Sequence, residues 1–265
     1  MIEELRTDLF HLHYKSDIVE STLLWENHCH AKYEMIAVLN GSIVVTVEGR
    51  DVKLRQGEAI VIPPLRYHGI RADENGNYRR LTVLFNENAI PAMLKDTLAE
   101  QTPAPCLISP HLRAELQRVC REENKDFFGP LANSLMVQAL YELSHTSPKT
   151  ANRESNGTLS EILSYIDAHL GEMVTLDHIA AHLSRSKSSV CHLFQERMKI
   201  SPKQYILQKK LAIAHHQIQN GVAPTEVASK LGYENYSNFY RLYKKHLGAA
   251  PAEDLPNDPL TEARE

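Results

Sequence analysis

Two predicted helices carry short hydroxyl and amide side chains near their first turns and basic side chains further along. In residues 187–198 and 236–247, apolar residues recur at helical spacing and share one face, so the polar residues point the other way. Ser, Asn and Arg side chains can bond to base edges in a major groove, while Lys side chains and helix N-termini bind phosphates. The candidate DNA-contacting residues are Lys187, Ser188, Ser189, His192, Asn235, Tyr236, Ser237, Asn238, Arg241, Lys244 and Lys245.

The two helices belong to a repeated unit. Residues 175–183 parallel residues 223–231, because each stretch has a Thr that can cap a helix and an apolar–Ala pair inside that helix. A short turn and a second helix follow each stretch, and Ser186 and Asn235 are good N-caps for the second helices. This arrangement is the helix-turn-helix pattern. A single polar face of this kind could be an ordinary solvated surface, but two in tandem with matching turns favour a DNA interface.

The charge of the chain is unevenly distributed. The whole chain has a formal net charge of −4, yet residues 158–250 carry 11 Lys and Arg against 7 Asp and Glu. Residues 251–265 carry 1 basic residue against 5 acidic ones. A positive block inside an acidic chain indicates an anionic partner for that block, and double-stranded DNA is the leading candidate.

The length of 265 residues predicts about two domains. No apolar run approaches the ~20 residues that a membrane span needs. The N-terminus is polar and acidic, unlike a secretory signal, and the four scattered cysteines suggest reduced thiols. We therefore expect a cytoplasmic protein with no membrane partner.

The hydrophobic pattern of the sequence changes along the chain. Short β-branched runs separated by turn residues predict a small antiparallel sandwich or barrel, and helical spacing after it predicts a helical hairpin. A Ser/Asn/Pro-rich stretch then predicts a linker, and helical patterns resume beyond it. The predicted division of this two-domain α+β chain is 1–90 for the β-domain, 91–146 for the hairpin, 147–157 for the linker, 158–251 for the all-α domain and 252–265 for an acidic tail.

The hairpin carries two apolar stripes. One comprises Leu112, Leu116 and Val119, and the other comprises Leu135, Met136, Ala139 and Leu143. If a small β-domain covers only part of both stripes, the exposed remainder is an interface that a two-fold axis can close into a homodimer. The alternative is that both stripes face the β-domain or each other.

The all-α domain resembles the DNA-binding domain of the AraC/XylS family of transcription regulators over nearly all of 159–251. The resemblance implies that Gln204–Asn220 is a rigid helix linking two helix-turn-helix units, which enter major-groove faces ~34 Å apart. The matching stretches are Leu176–Leu183, Val190–Phe194, Ile200–Pro202, Tyr205–Ile206, Leu211, Ala214, Val227–Ala228, Leu231–Tyr233, Phe239–Arg241, Tyr243–Lys245, Gly248 and Pro251.

The chain departs from the family pattern at four positions. Lys210 stands where the family usually has Arg, and Lys199 where a Gly usually ends the first recognition helix. Arg185 occupies a usually apolar turn position, and Leu255 sits where an Arg often follows the final Pro. The first recognition unit is therefore the less regular of the two, although no probable base-reading position is lost.

The β-domain resembles the cupin fold at its two metal-site motifs. His28, His30 and Glu34 fit the first motif, and His68 fits the second, although Leu65 and Ala72 replace that motif's usual Gly and Asn. In cupins three His and one Glu converge inside a barrel, and such a set suits Fe, Mn, Ni or Zn. The sensor domains of AraC-type regulators often keep these positions while binding a small organic effector without metal. We therefore expect these four residues (His28, His30, Glu34 and His68) to bind an effector, with no metal and no cofactor, unless they are simply polar residues at strand ends.

The resulting expectation is a regulator controlled by a small molecule, not an enzyme. An activator is expected, and its partners would be promoter DNA, a small-molecule effector and RNA polymerase. Sugars are a common effector class among cupin-bearing relatives, so a carbohydrate is expected. The alternative is a metal-dependent cupin enzyme fused to a helical DNA-binding domain, using the same His and Glu residues.

Overall fold

A computed structural model describes residues 4–6, 10–19, 27–73, 76–100, 103–119, 128–145 and 157–256. The chain divides into two compact units: residues 1–28 and 32–153 form the first, and residues 154–265 together with 29–31 form the second. The predicted linker lies outside the described residues except for Gly157, which begins a helix. No helix in these ranges is both long and apolar enough to cross a membrane.

The described residues of the N-terminal unit form nine strands in two antiparallel sheets. The larger sheet has the order β1-β2-β8-β3-β6-β9 and the smaller one has the order β5-β4-β7. The strands are β1 (Glu4–Arg6), β2 (Phe10–Val19), β3 (Tyr33–Asn40), β4 (Ser42–Val47), β5 (Arg50–Arg55), β6 (Glu58–Ile62), β7 (His68–Ala72), β8 (Gly76–Phe85) and β9 (Cys106–Leu107). The β-branched runs of the sequence lie at 35–39, 43–47, 52–54, 59–62 and 81–85. Strands β1, β2 and β7 lie outside these runs because their polar side chains hide the pattern, and β9 lies outside them because it has only two residues.

Both faces of the larger sheet are covered. On β3, Ile36 and Val38 join a cluster with the smaller sheet, including Ile43 and Val45. The alternate residues, such as Met35, join a second cluster with the helices. Side chains alternate across a strand, so a nearly continuous apolar run on β3 means burial on both faces. Among the described strands, the two sheets do not close into one hydrogen-bonded barrel.

Three helices cover the outer face of the larger sheet: α1 (Ala92–Glu100), α2 (Pro110–Val119) and α3 (Phe128–His145). The expected exposed strip on α2 and α3 is wrong for the described side chains. Leu112 and Leu116 are 0% exposed, and all four stripe residues of α3 are also buried in the cluster against the sheet. The side chain of Val119 lies outside the described part. The outer face of the sheet is apolar, so both stripes pack against it. The buried stripes are therefore not available as a dimer interface.

The described part of the C-terminal unit from residue 157 to 256 contains helices joined by turns. Its helices are α4 (Gly157–Ala168), α5 (Leu176–His182), α6 (Lys187–Met198), α7 (Pro202–Gln219), α8 (Pro224–Lys230) and α9 (Tyr236–Leu247). The architecture confirms the predicted fold class, a β-rich N-terminal domain followed by an all-α domain with two helix-turn-helix units. The bounds of α6 and α9 coincide with the predicted helices.

Local capping explains several helix starts in the C-terminal unit. Thr175 caps α5, and Ser186 and Asn235 cap α6 and α9 through side chains that accept backbone N–H bonds. The predicted cap at Thr225 is wrong, because Thr225 already lies inside α8, whose N-cap is Ala223 and whose first residue is Pro224. Pro is pre-organised for the first helical position, where no N–H bond is needed.

The predicted acidic tail starts inside the folded unit. Pro251–Asp254 forms a short 3-10 helix, and the Tyr243 hydroxyl donates to the Asp254 carboxylate at 2.7 Å. Leu255 packs against the core of the second helix-turn-helix unit. The structured domain therefore continues past residue 251, and residues 257–265 of the tail lie outside the described part.

Candidate functional site

Helices α6 and α9 present the predicted DNA-contacting residues to solvent. All eleven of those residues are exposed. Val190 and Phe194 anchor α6 in the core, and Phe239 and Tyr243 anchor α9. Leu247, which the helical period places on the same apolar face as Phe239 and Tyr243, is 40% exposed at the end of α9. The burial of one face leaves the polar face of each helix available to a partner, and its contact with DNA stays a prediction.

The face of α6 is of mixed charge. Lys187 forms an ion pair with Asp177 of α5, and His192 Nδ1 lies 4.0 Å from Glu196 Oε2. The Ser189 N–H donates to the Ser186 hydroxyl at 3.2 Å, and the Ser189 side chain is exposed. This helix offers the hydroxyls of Ser188 and Ser189, one imidazole and one partly compensated lysine near its N-terminus.

The face of α9 is basic and aromatic. The Arg241 guanidinium donates to the Asn238 side-chain oxygen at 3.2 Å, so the two groups capable of reading bases lie side by side. Tyr236 and Tyr240 expose 37% and 38% of their area next to them. Lys244 and Lys245 follow in the last turn, and the helix contains no acidic residue. The second unit is therefore the better match to a polyanion.

The His/Glu set of the N-terminal domain converges. Suitable donor atoms of His28, His30, Glu34 and His68 all lie within 4.8 Å of one another. Glu34 is near the start of β3 and His68 begins β7. His28 is held next to β7 by two backbone bonds, since its N–H donates to the His68 carbonyl at 2.8 Å and the His68 N–H donates back at 2.9 Å.

Glu34 and His68 form a buried hydrogen-bonded pair. The His68 Nε2 lies 2.7 Å from a Glu34 oxygen, and its Nδ1–H donates to the Arg66 carbonyl at 2.7 Å. The two residues are 3% and 1% exposed. Burial alone would lower the pKa of His68, but the hydrogen bond and negative charge of Glu34 outweigh it, so the pKa is raised.

These four side chains also fit a transition metal. An imidazole whose Nδ1–H is bonded to a carbonyl points Nε2 into the cluster, which is the orientation that metal-binding histidines adopt. A bound metal would act there as a Lewis acid or hold a ligand oxygen. The predicted absence of a metal therefore stays a prediction.

Sequence reasoning missed three buried cations. Arg80 of β8 is 7% exposed, and Lys209 and Lys210 of α7 are 2% and 8% exposed. On β8, Leu81 and Val83 belong to the cluster between the larger sheet and the helices. Side chains alternate along a strand, so Arg80 lies on the opposite face, together with Tyr78 of the cluster between the two sheets. The polar–apolar alternation of β8 was the available sequence evidence for Arg80. Nothing comparable marks the two lysines, since a lysine in a helix is usually solvated.

Comparison with known proteins covers both domains. The family model described as "Helix-turn-helix domain" matches residues 179–255. The model described as "AraC-like ligand binding domain" matches residues 21–140.

Relatives of similar length share both parts. The chain is 22% identical over 247 residues to the HTH-type transcriptional regulator YdiP of Escherichia coli strain K12, covering 86% of this chain and 81% of that protein. It is 27% identical over 233 residues to the HTH-type transcriptional regulator YobQ of Bacillus subtilis strain 168, covering 87% and 88%. A crystal structure of ToxT from Vibrio cholerae O395 aligns with 12% identity and a TM-score of 0.41, covering 95% of this chain and 100% of that one. The two family models and the two full-length relatives place this chain in the AraC family of helix-turn-helix transcription regulators, with a ligand-binding N-terminal domain and a DNA-binding C-terminal domain.

Proposed function

We propose that this regulator reads DNA with both α6 and α9 and that a small molecule bound beside Glu34 and His68 controls that reading. The observation that carries the proposal is the face of α9, where Asn238, Arg241 and two lysines are exposed on a helix without acidic residues. Arg donates two bonds to the edge of guanine, and Lys neutralises phosphate. The face of α6 supplies the second, weaker contact.

Control by the effector follows from linked equilibria. A ligand that binds one arrangement of the protein better than another increases the population of that arrangement. If that arrangement is the one able to hold two DNA sites, binding of the effector strengthens DNA binding. We propose that the protein acts in the cytoplasm as a homodimeric activator that contacts RNA polymerase. The dimer surface is not the buried face of α2 and α3.

A carbohydrate is our proposal for the effector. The imidazoles of His28, His30 and His68 and the carboxylate of Glu34 lie within 4.8 Å of one another and offer both donors and acceptors. Hydroxyl groups, which donate and accept, suit such a set better than an apolar ligand does.

The DNA-reading proposal is tested by selecting duplexes from a randomised pool with the full-length protein. We expect enrichment of a site with two subsites about one helical turn apart. Hydroxyl-radical footprinting should show protection at both subsites. A quadruple variant that replaces Asn238, Arg241, Lys244 and Lys245 with alanine should lose protection at one subsite while the fold stays intact. Enrichment of no sequence would contradict the proposal.

The effector proposal is tested by thermal shift with a panel of sugars, sugar acids and small metabolites. A ligand at 100 times its dissociation constant adds about 2.7 kcal/mol to the free energy of unfolding. Glu34→Gln should abolish the shift, whereas Glu226→Gln on the other domain should leave it unchanged. A shift that survives Glu34→Gln would place the effector elsewhere.

The donor geometry favours one second candidate, a metal-dependent enzyme on the same four residues. Metal analysis after equilibration with Fe, Mn, Ni or Zn separates the two functions when DNA binding is measured on the same sample. Stoichiometric metal without sequence-specific DNA binding would favour the enzyme. DNA binding that is indifferent to chelation would favour the regulator with an organic effector.

A further inference from the structure

The two helix-turn-helix units meet at one buried lysine. Lys210 lies near the middle of α7, the helix that connects the units, and is 8% exposed. Its ammonium donates to the Glu172 carbonyl at 2.8 Å and to the Leu231 carbonyl at 2.7 Å. It also lies 5.4 Å from the centre of the Tyr233 ring. Two carbonyls and one aromatic face therefore surround a group that has three N–H donors.

The two carbonyls belong to different helix-turn-helix units. Glu172 lies in the turn before α5, whose N-cap is Thr175, so it leads into the first unit. Leu231 is the C-cap of α8, and the turn that follows it leads into α9. A cation at a helix C-terminus is favourable because the terminal carbonyls carry partial negative charge. Lys210 thus connects the entrance of the first unit with the turn that orients the second recognition helix.

The backbone around Lys210 is closely packed. A β-carbon on Gly232 would lie 2.8 Å from the Gly171 carbonyl oxygen, and one on Gly171 would lie 3.1 Å from the Lys230 carbonyl oxygen. The two turns therefore touch directly, and the only long side chain shown reaching carbonyls of both is that of Lys210 among the described residues. Burial lowers the pKa of this lysine because desolvation disfavours the charged ammonium.

We infer that Lys210 is a positioning residue that holds the two DNA-reading units at a constant separation and rotation. The inference rests on the proposed function, in which α6 and α9 each read a subsite. Two rigidly connected readers bind a correctly spaced pair of subsites much better than either reader alone, and they bind a misspaced pair poorly. Loosening the connection should reduce both the affinity for the correct spacing and the penalty for a wrong one.

The neighbouring Lys209 provides a matched control. It is 2% exposed on the same helix, but its ammonium pairs with Asp167 of α4 and lies 5.1 Å from the Tyr205 ring centre. Those partners belong to α4 and α7, and neither lies in the second unit's turn. Lys209→Met therefore removes a buried ammonium without removing the connection between the two turns.

The experiment compares two duplexes selected with the wild-type full-length protein, one unaltered and one with two base pairs inserted between the subsites. The insertion turns the subsites by about 70° relative to each other. For the wild type we expect it to weaken binding roughly tenfold or more. For Lys210→Met we expect weaker binding to the unaltered duplex and a penalty for the insertion below about threefold. Lys209→Met should keep the wild-type penalty.

Two results would overturn the inference. One is a wild-type penalty retained by Lys210→Met, including the case in which binding to both duplexes weakens by the same factor. The other is the same reduced penalty in Lys209→Met. A wild-type protein with no dependence on spacing would instead contradict the two-reader proposal itself. If circular dichroism shows Lys210→Met to be unfolded, Lys210→Gln, which keeps a donor for one carbonyl, is measured against the same outcomes.

Discussion

Gly232 packs against the backbone of Gly171 so closely that a β-carbon at position 232 would lie 2.8 Å from the Gly171 carbonyl oxygen. Its φ of +73° is also a conformation that L side chains rarely adopt. Gly232→Ala should therefore lower the free energy of unfolding by about 2–4 kcal/mol, combining backbone strain with displacement of the neighbouring turn. Urea unfolding followed by circular dichroism measures this change.

Gly248 is the matched control for that prediction. Its φ is +84°, but a β-carbon there would meet nothing within 4 Å. Gly248→Ala should cost only the backbone strain, ~1–2 kcal/mol. Equal losses at both positions would show that the contact with Gly171 contributes nothing.

Lys199 ends α6 in a left-handed conformation, with φ of 61°. Glycine adopts this conformation without a steric penalty, so Lys199→Gly should stabilise the protein by ~0.5–1 kcal/mol. Thermal unfolding measures the gain. Ser164→Gly, at an exposed interior position of α4, should instead destabilise the protein because glycine weakens a helix interior. A loss of stability in Lys199→Gly would mean that its side chain stabilises the turn.

Arg241 is exposed on α9 beside Asn238, which accepts one of its hydrogen bonds. Arg241→Ala should weaken binding to the selected duplex by about 1–3 kcal/mol if the guanidinium reads a guanine. Fluorescence anisotropy at constant salt measures the affinity. Lys230→Ala, which removes an exposed cation paired with Glu226 on α8, is the control. Unchanged affinity for Arg241→Ala with an intact fold would remove Arg241 from the interface.

Ser189 and His192 are predicted to face the groove from α6. Ser189→Ala and His192→Ala should each change the base preference at a position of the first subsite, by ~1 kcal/mol or more. Competition between selected and randomised half-sites measures the preference. Ser160→Ala on the exposed side of α4 is the control. Preferences unaltered at every position would mean that the first unit binds only the DNA backbone.

The Glu34–His68 pair should stabilise the metal-free protein mainly at acidic pH. The pKa of His68 is raised from 6.5 in the folded protein, so its imidazolium stabilises the fold fully below pH 6.5. The contribution is lost as the pH rises through the raised pKa. Glu34→Gln should therefore destabilise the chelator-treated protein by ~1–3 kcal/mol at pH 5.5 and by less at pH 8.5. A difference that grows with pH would contradict the pairing, and Glu226→Gln should show no such trend.

The sequence by itself determined the features that depend on neighbouring residues. Ser186 and Asn235 marked the starts of α6 and α9, because a capping side chain bonds to backbone two or three residues away. The 3.6-residue period separated the buried Val190 and Phe239 from the exposed faces of those helices. The resemblance to the cupin motifs, and not local spacing, suggested His28, Glu34 and His68 as one set, and the structure shows that they converge.

Only the tertiary structure decided the features that join residues far apart in the chain. The helical spacing of Leu116 is the same whether it faces a sheet or a second subunit. In the structure Leu116 is buried against the apolar outer face of the larger sheet. Lys210 is an ordinary helical lysine in the sequence, and it becomes a connector because chain folding places Glu172 and Leu231 around its ammonium. Periodicity reports which face of an element is buried, whereas the partner on that face is set by contacts between distant segments.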